Sequence, residues 1–306
     1  MAVDGHRILV PNAPGGGYDA TGRTAAKVME DERILRGVEV FNLEGAGGTL
    51  GLARLVNESG NGKVAMLMGL GVVGASHTHH NGTSILQTTP LASLVQEAGA
   101  IMVAKDSKYL TLDMLLTDWK RSPATVSVGG GSSAGGPDHL LPMQLAKAVG
   151  IPPADVDFVS FDGGGDLLPA LLNGRLAFAT SGAGEFLDQI ESGAIRVLAV
   201  SGSQRMAKVG APTLQELGVD LVFTNWRGLV APPGISPADR RAWVSALERM
   251  HRSSAWQQAL ADNGWTDAFH TGDAFGRFLA QEDRHVVETL DSLELGSSRP
   301  IPAGSG

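Results

Sequence analysis

The chain has no cysteine among its 306 residues. That single absence excludes disulfides, cysteine-ligated zinc, iron–sulfur clusters and thiol catalysis. Aromatic residues are scarce at 5%, and 24 Lys and Arg stand against 32 Asp and Glu, a formal charge of −8. With no basic block either, this balance argues against a partner that is nucleic acid or an anionic membrane surface. No run of about 18 apolar residues occurs, so no segment reads as membrane-spanning. The opening residues Met1–Arg7 lack the basic and apolar regions of a signal peptide. Two readings follow: an intracellular protein, or an exported one from which the signal has been removed.

Glycine, by contrast, is abundant at 41 residues and follows no G-x-y period. The length corresponds to two domains of ~150 residues, and 43% apolar content suffices for two cores. Arg7–Pro11 reads as a buried strand, Ala13–Gly17 as a glycine turn, and Asp19 as the cap of a helix running to about Glu30. Val38–Leu43 and Val64–Gly69 are two more strands, separated by the turn Glu44–Gly48 and a short helix Thr49–Asn57. The pattern then restarts. Thr111–Lys120 is a helix capped by Thr111, with Leu112, Leu115, Leu116 and Trp119 on one face. Strands are expected at Thr125–Val128, Val156–Phe161, Ala177–Thr180 and Val197–Val200, and helices at Pro137–Val149 and Asp166–Leu172. The last eighty or so residues are mostly helical: Ser236-Pro-Ala-Asp239 starts one helix, striped by Trp243, Leu247 and Met250. Phe275, Phe278, Leu279, Val286, Leu290 and Leu293 stripe a longer one, and the tail Gly296–Gly306 reads as disordered. Alternating strand–helix units predict an α/β fold in two lobes.

Three glycine turns, Ala13–Gly17, Gly45–Gly48 and Gly163–Gly165, each stand between a strand and a helix start. Such turns let backbone N–H groups and a helix N-terminus converge on an anion, although glycine also serves merely to make tight connections. Their recurrence at equivalent places in both lobes favours ligand binding, at the carboxyl ends of the strands. A fourth loop admits sharper readings. Gly129–Ala134 fits G-x-G-x-x-A, the fingerprint of a nucleotide-dependent oxidoreductase, but Pro137 starts the following helix several residues late. Gly131–Gly135 fits G-x-S-x-G with Ser133 as the nucleophile of a serine hydrolase, with His251, His270 and His285 downstream as partners. In a glycine-rich chain both patterns arise easily, and a ligand-binding or structural loop outweighs either enzyme. His77, His79 and His80 form a weak zinc pattern better read as a solvated loop ending at Asn81-Gly82. Arg227 follows a strand at a crossover, where it either faces an anionic ligand or serves structurally.

Five segments, in order, carry a family resemblance. Pro11–Arg23 (PNAPGGGYDATGR) and Asn42–Gly51 (NLEGAGGTLG) resemble the first two loop signatures of the substrate-binding receptors of tripartite tricarboxylate transporters. Gly129–Leu140 (GGGSSAGGPDHL), Phe161–Asp166 (FDGGGD) and Asn225–Gly234 (NWRGLVAPPG) follow in family order, and the resemblance spans roughly residues 6 to 295. The triple glycine, NWRG and APPG lean toward the tricarboxylate branch, from which Tyr18 departs by standing where Trp is more usual.

The resemblance implies a type II periplasmic-binding-protein fold: two Rossmann-like α/β lobes, residues 1–103 with 225–306 and residues 104–224, closing on a small organic acid. Crossings are expected near Ile101–Ala104 and Val222–Leu229. The ligand loops map to Ala13, Gly15, Gly16, Gly17, Tyr18 and Asp19, then Ala46 and Gly47, then Ser132, Ser133 and Ala134, then Gly163, Gly164 and Gly165, with Ser181 and Arg227. The hydroxyls of Tyr18, Thr21, Ser132, Ser133 and Ser181 would select among acids. The implied protein is an extracytoplasmic, monomeric receptor that passes a citrate-like di- or tricarboxylate to membrane permease subunits. It performs no catalysis, needs no cofactor or metal, and binds no nucleic acid.

Overall fold

The structure, a computed structural model, describes residues 5–79, 82–132, 134–161 and 163–293. Strand β1 (Arg7–Val10) leads into helix α1 (Gly17–Asp31), β2 (Glu39–Asn42) into α2 (Thr49–Asn57), and β3 (Val64–Gly69) directly into α3 (Leu70–Thr78). A 16-residue strand, β4 (Thr89–Ala104), and helix α4 (Leu112–Arg121) follow. The alternation resumes with β5 (Val128–Gly130), α5 (Pro137–Ala148), β6 (Phe158–Ser160), α6 (Gly164–Leu172), β7 (Phe178–Gly182), α7 (Leu187–Glu191) and β8 (Ile195–Val200). The chain ends with β9 (Thr224–Ala231), α8 (Pro237–Arg252), α9 (Ser254–Asn263), β10 (Thr266–Thr271) and α10 (Gly272–Ser292).

These elements form two compact units. The first runs to Gln96 and resumes over Trp226–Val286; the second comprises Glu97–Asn225 and the residues from Val287. In the first, strands run in the order β2-β1-β3-β9-β4, with β10 also on β4. Strand β1 is parallel to both β2 and β3, whereas β9 is antiparallel to β3. All six residues of β3 (VAMLMG) are buried, the near-continuous apolar run that a strand covered on both faces requires. Ile8, Leu67, Ala25 and Met29 pack with Trp243, Leu247, Met250 and Trp256 into one core, so α8 and α9 close over α1.

In the second unit β5 is parallel to β6 and β7, while β7 and β8 are antiparallel to the far end of β4. Leu167, Leu171, Leu176, Ala179 and Phe186 form a core there. Helix α4 buries Leu112, Leu115, Leu116 and Trp119, and Thr111 caps it by accepting from the Met114 N–H. That stripe stabilises by roughly 1.5–3 kcal/mol for each fully buried large side chain.

Several boundaries differ from the sequence reading. The strand expected at Thr125–Val128 begins only at Val128, because Pro123 opens a short 3-10 turn over Pro123–Thr125. Its remainder is glycine for a steric reason. A Cβ on Gly129 would lie 2.4 Å from Leu176, and one on Gly130 2.7 Å from the Asp138 carbonyl. Helix α6 starts at Gly164, two residues before Asp166, with Gly163 at φ 95° as its cap. His77 and Thr78 are not loop residues but the last turn of α3, where His77 Nε2 lies 2.8 Å from Asp283. Among the described residues no cluster of three His, Cys, Asp or Glu fits a metal. His80, Asn81 and the tail Gly296–Gly306 lie outside the described residues.

Candidate functional site

In the first unit, Pro11 ends β1 and Gly16, in an extended conformation, caps α1. Asp19 is therefore not the N-cap but the third residue of the helix. From there its carboxylate reaches back: Oδ2 accepts from the Gly15 N–H at 2.9 Å. Helix-terminal carboxylates commonly satisfy a loop donor this way. Asp19 also accepts from Arg23 Nε at 2.9 and 3.0 Å and from Asn42 Nδ2 at 2.9 Å. Asn42 Nδ2 in turn donates to the Asn12 carbonyl. Burial pulls the Asp19 carboxyl upward, but Arg23, the Gly15 N–H and Asn42 outweigh it and hold the group below its usual range. The left-handed φ of 88° at Gly15 is what lets its N–H turn toward Asp19.

The second loop carries four consecutive positive φ angles: 134° at Gly45, 47° at Ala46, 64° at Gly47 and 92° at Gly48. Ala46 is the unusual member, since a residue with a Cβ held there costs on the order of 1–3 kcal/mol. A Cβ on Gly48 would come 2.9 Å from Val72 and 3.1 Å from Pro11, so the start of α2 lies against both the start of α3 and the end of β1.

The third helix start is absent from the sequence reading. Strand β3 turns into α3 at Gly69 with no intervening turn residues, and two glycines and two valines conceal the helix in LGVVGASHT. The Val72 N–H donates to the Tyr18 hydroxyl at 3.3 Å, which ties α1 to α3. Gly69 pairs in register with Arg227 on β9. Arg227, 3% exposed, reaches Thr21 Oγ1 at 3.5 Å, while the Thr21 hydroxyl donates to the Gly17 carbonyl at 2.8 Å. Burial drives the Tyr18 phenol up to about 12, against opposing effects from the Val72 N–H, the Arg227 charge and the Gly71 N–H. Tyr18 therefore stays neutral and keeps a proton to donate. The starts of α1 and α3 with a guanidinium beside them, and the α2 start packed against α3, make an anion-favouring surround.

Gly69 holds the group together by having no side chain. A Cβ there would sit 2.5 Å from the Trp226 carbonyl and 2.9 Å from the Tyr18 ring and hydroxyl. Gly69→Ala should destabilise by about 1–3 kcal/mol through this overpacking and weaken ligand binding at the same time. Equal denaturation midpoints for the variant and the parent would refute the crowding.

In the second unit the loop after β5 is organised around a residue that the sequence reading passed over, Asp138 in the first turn of α5. Ser132 Oγ accepts from the Asp138 N–H at 3.0 Å. Thr180 Oγ1 donates to the Asp138 carbonyl at 2.7 Å, and Ser181 Oγ to Asp138 Oδ2 at 3.1 Å. The Gly163 N–H donates to the Gly131 carbonyl, and Ser160 Oγ to that of Ser132, so the loops before α5 and α6 are tied together. Gly164 abuts Phe186, while Gly165 faces open space. Ala134 is partly buried in the turn; Ser133 lies outside the described residues. Helix α5 begins at Pro137, eight residues after Gly129, too late for a dinucleotide turn. His139 accepts from the Gly135 N–H at 3.0 Å, and burial pushes its imidazole down to about 4, so it is a neutral structural group. The pairing of Pro137 with a first-turn acid repeats the helix-start pattern read correctly at Ser236–Asp239 and would have pointed to Asp138.

Of the expected site residues, the first unit thus gathers Tyr18, Thr21 and Arg227 beside the Gly45–Gly48 loop. Gly15 and Asp19 are bonded to each other, with Gly16 and Gly17 at the helix start and Ala13 partly exposed before them. The second unit gathers Ser132, Ser181 and Gly163 around Asp138.

Two α/β units of this topology, with glycine loops at their helix starts, define a periplasmic-binding-protein fold. The R. palustris protein Rpa4515 with adipate superposes with a TM-score of 0.87 at 18% identity, covering 95% of this chain and 98% of that one. MatC from Rhodopseudomonas palustris with bound malate gives 0.81 at 21% identity, covering 93% and 98%. In sequence, the chain is 27% identical to Protein BugT of Bordetella pertussis over 282 residues, 90% of this chain and 85% of the relative. Residues 22–294 match the tripartite tricarboxylate transporter family receptor, and the chain belongs to that family. It is a family of extracytoplasmic solute-binding receptors that bind small carboxylates and work with permease components, not a class of enzymes. The serine-hydrolase and oxidoreductase readings of Gly129–Gly135 are thereby set aside. Among the described residues no helix is long and apolar enough to cross a membrane.

Proposed function

We propose that this protein captures a small di- or tricarboxylate of citrate-like size outside the cytoplasmic membrane, in the periplasm, and delivers it as a monomer to a membrane permease. The observation that carries the reading is Arg227, buried beside Thr21 of α1 and paired with Gly69 at the start of α3, with the neutral Tyr18 phenol within reach of its charge. Each helix start favours a negative charge by about 0.3–1 kcal/mol, so a guanidinium beside the α1 and α3 starts favours a carboxylate further. Malate and adipate in the two structural neighbours are both dicarboxylates, which supports the same ligand class. Backbone amides and a fixed cation hold an acid without activating it, as a carrier that must release its cargo requires.

Calorimetry of ligand-free protein against succinate, malate, citrate, tricarballylate, adipate and glutamate should give at least one isotherm with one site per chain. No heat from any of the six would count decisively against the carboxylate reading.

A further inference from the structure

We infer that Glu282 of α10 is a positioning residue for the solute, one that holds Trp226, and through it Arg227, from the far side of the sheet. This rests on the receptor reading above and adds a control on its affinity.

Successive side chains of a strand point to opposite faces of its sheet. Along β9, Arg227 turns to α1, where it reaches Thr21. Trp226 and Gly228 turn the other way, to α10. The Trp226 indole meets Phe275 and Phe278 edge to face, with ring centres 6.0 and 5.1 Å apart. A Cβ on Gly228 would lie 2.7 Å from Phe275, so the helix is pressed against the strand. Within this apolar contact stands one carboxylate. Glu282 Oε2 accepts from Trp226 Nε1 at 2.8 Å. The next residue, Asp283, lies 2.8 Å from His77 Nε2 in the last turn of α3. Two adjacent side chains of α10 thus grip β9 and the helix that follows β3, and these two strands meet at the Arg227–Gly69 pair.

Trp226 is the link. It is buried, and its carbonyl lies where a Cβ on Gly69 would be 2.5 Å away. A shift of the indole therefore carries to the start of α3 and to the adjoining Arg227.

A carboxylate is a costly acceptor for this bond. Burial pushes the Glu282 carboxyl up, against the Trp226 N–H and the His285 charge, which pull it down. His285 stands on the same helix, the neighbouring Asp283 is engaged by His77 of α3, and Arg227 is on the opposite face of β9. A glutamine oxygen would accept the same proton without the cost of a buried charge. What ionised Glu282 adds is a stronger, charge-assisted bond, and one that weakens when the group takes up a proton. Acid should therefore loosen the grip and the solute with it. By reciprocity, solute binding should drive the ionisation of Glu282. Stability runs the other way. A carboxyl whose folded pKa is raised stabilises the fold below its unfolded value, and that contribution is lost as pH rises through the folded value.

The test is calorimetry on the full chain with whichever of succinate, malate, citrate, tricarballylate, adipate and glutamate binds the parent. At about pH 5, above the ordinary glutamate value, titrations in buffers of different ionisation enthalpy count the protons released. The parent should release more than Glu282→Gln does with the same acid. At about pH 8, Glu282→Ala should bind about tenfold more weakly, and Glu282→Gln, which keeps an acceptor, should recover most of that loss. Glu282→Gln should also melt no lower than the parent at about pH 8, the two converging in acid. Should Glu282→Ala fold poorly, the proton count in Glu282→Gln decides alone. Equal affinity in the parent and Glu282→Ala overturns the proposal and leaves the receptor reading intact, as does equal proton release in the parent and Glu282→Gln. Silence of the parent toward all six acids removes both.

Discussion

Arg227→Met should lower carboxylate affinity by about a hundredfold while leaving the fold standing. Charge-assisted hydrogen bonds are worth about 1.5–3 kcal/mol, and each 1.4 kcal/mol is a factor of ten in the dissociation constant. Methionine fills much of the same volume, and removing a buried charge also removes the cost of keeping it out of water. Binding and stability therefore separate in this variant. Tyr18 supplies an independent readout, because the Arg227 charge is one of the influences that lower its phenol from where burial alone would put it. Without that charge the Tyr18 ionisation should move above about 12, visible by absorbance in a chain that has only two tyrosines. Arg227→Lys keeps the charge but not the planar fork and should fall between the two. Unchanged affinity in Arg227→Met would take the cation out of recognition and leave the helix starts alone to hold the acid.

The α/β alternation was legible because its signals are local. Apolar runs such as VAMLMG, glycine turns, and the caps Thr111 and Ser236 each report on a few neighbouring residues. Where the sequence misled, a distant contact decided. Helix α3 has no turn before it, and the Tyr18, Gly48 and Gly69 contacts, all distant in sequence from one another, mark its start. The strand Val128–Gly130 is two-thirds glycine and looks like a loop; it is a strand because Leu176 and Asp138 approach too closely for side chains. Arg227 had two open readings until its burial and its pairing with Gly69 placed it beside Thr21 and the helix starts. Asp138 is legible in the sequence only as a first-turn acid after Pro137, not as the centre of its loop. Its importance comes from Ser132, Thr180 and Ser181, residues 6 to 43 positions away, all directed at its atoms.

Asp19 is the residue whose role the structure changes most, and its substitutions should reverse in order. As an N-cap, Asp19→Asn would be nearly silent, since asparagine caps a helix as well as aspartate. Instead the carboxylate collects donors only: the Gly15 N–H, Arg23 Nε and Asn42 Nδ2. An asparagine there offers one oxygen and turns an amide NH2 toward groups that also donate. Alanine introduces no such opposition and leaves Arg23, which is half exposed, free to hydrate. Asp19→Asn should therefore cost about 1–3 kcal/mol, at least as much as Asp19→Ala. Both should loosen the Gly15–Gly17 loop and reduce ligand affinity. The effect must depend on pH in a defined direction, because the folded-state pKa is lowered. The stabilisation is complete above the unfolded value near ~3.9 and is lost as pH falls through the folded value. The gap in melting temperature between the parent and Asp19→Asn should be widest near neutrality and shrink below about pH 4. A gap that persists unchanged into acid would mean that the asparagine is harmful for its shape alone. The charge of Asp19 would then have no part in holding the loop.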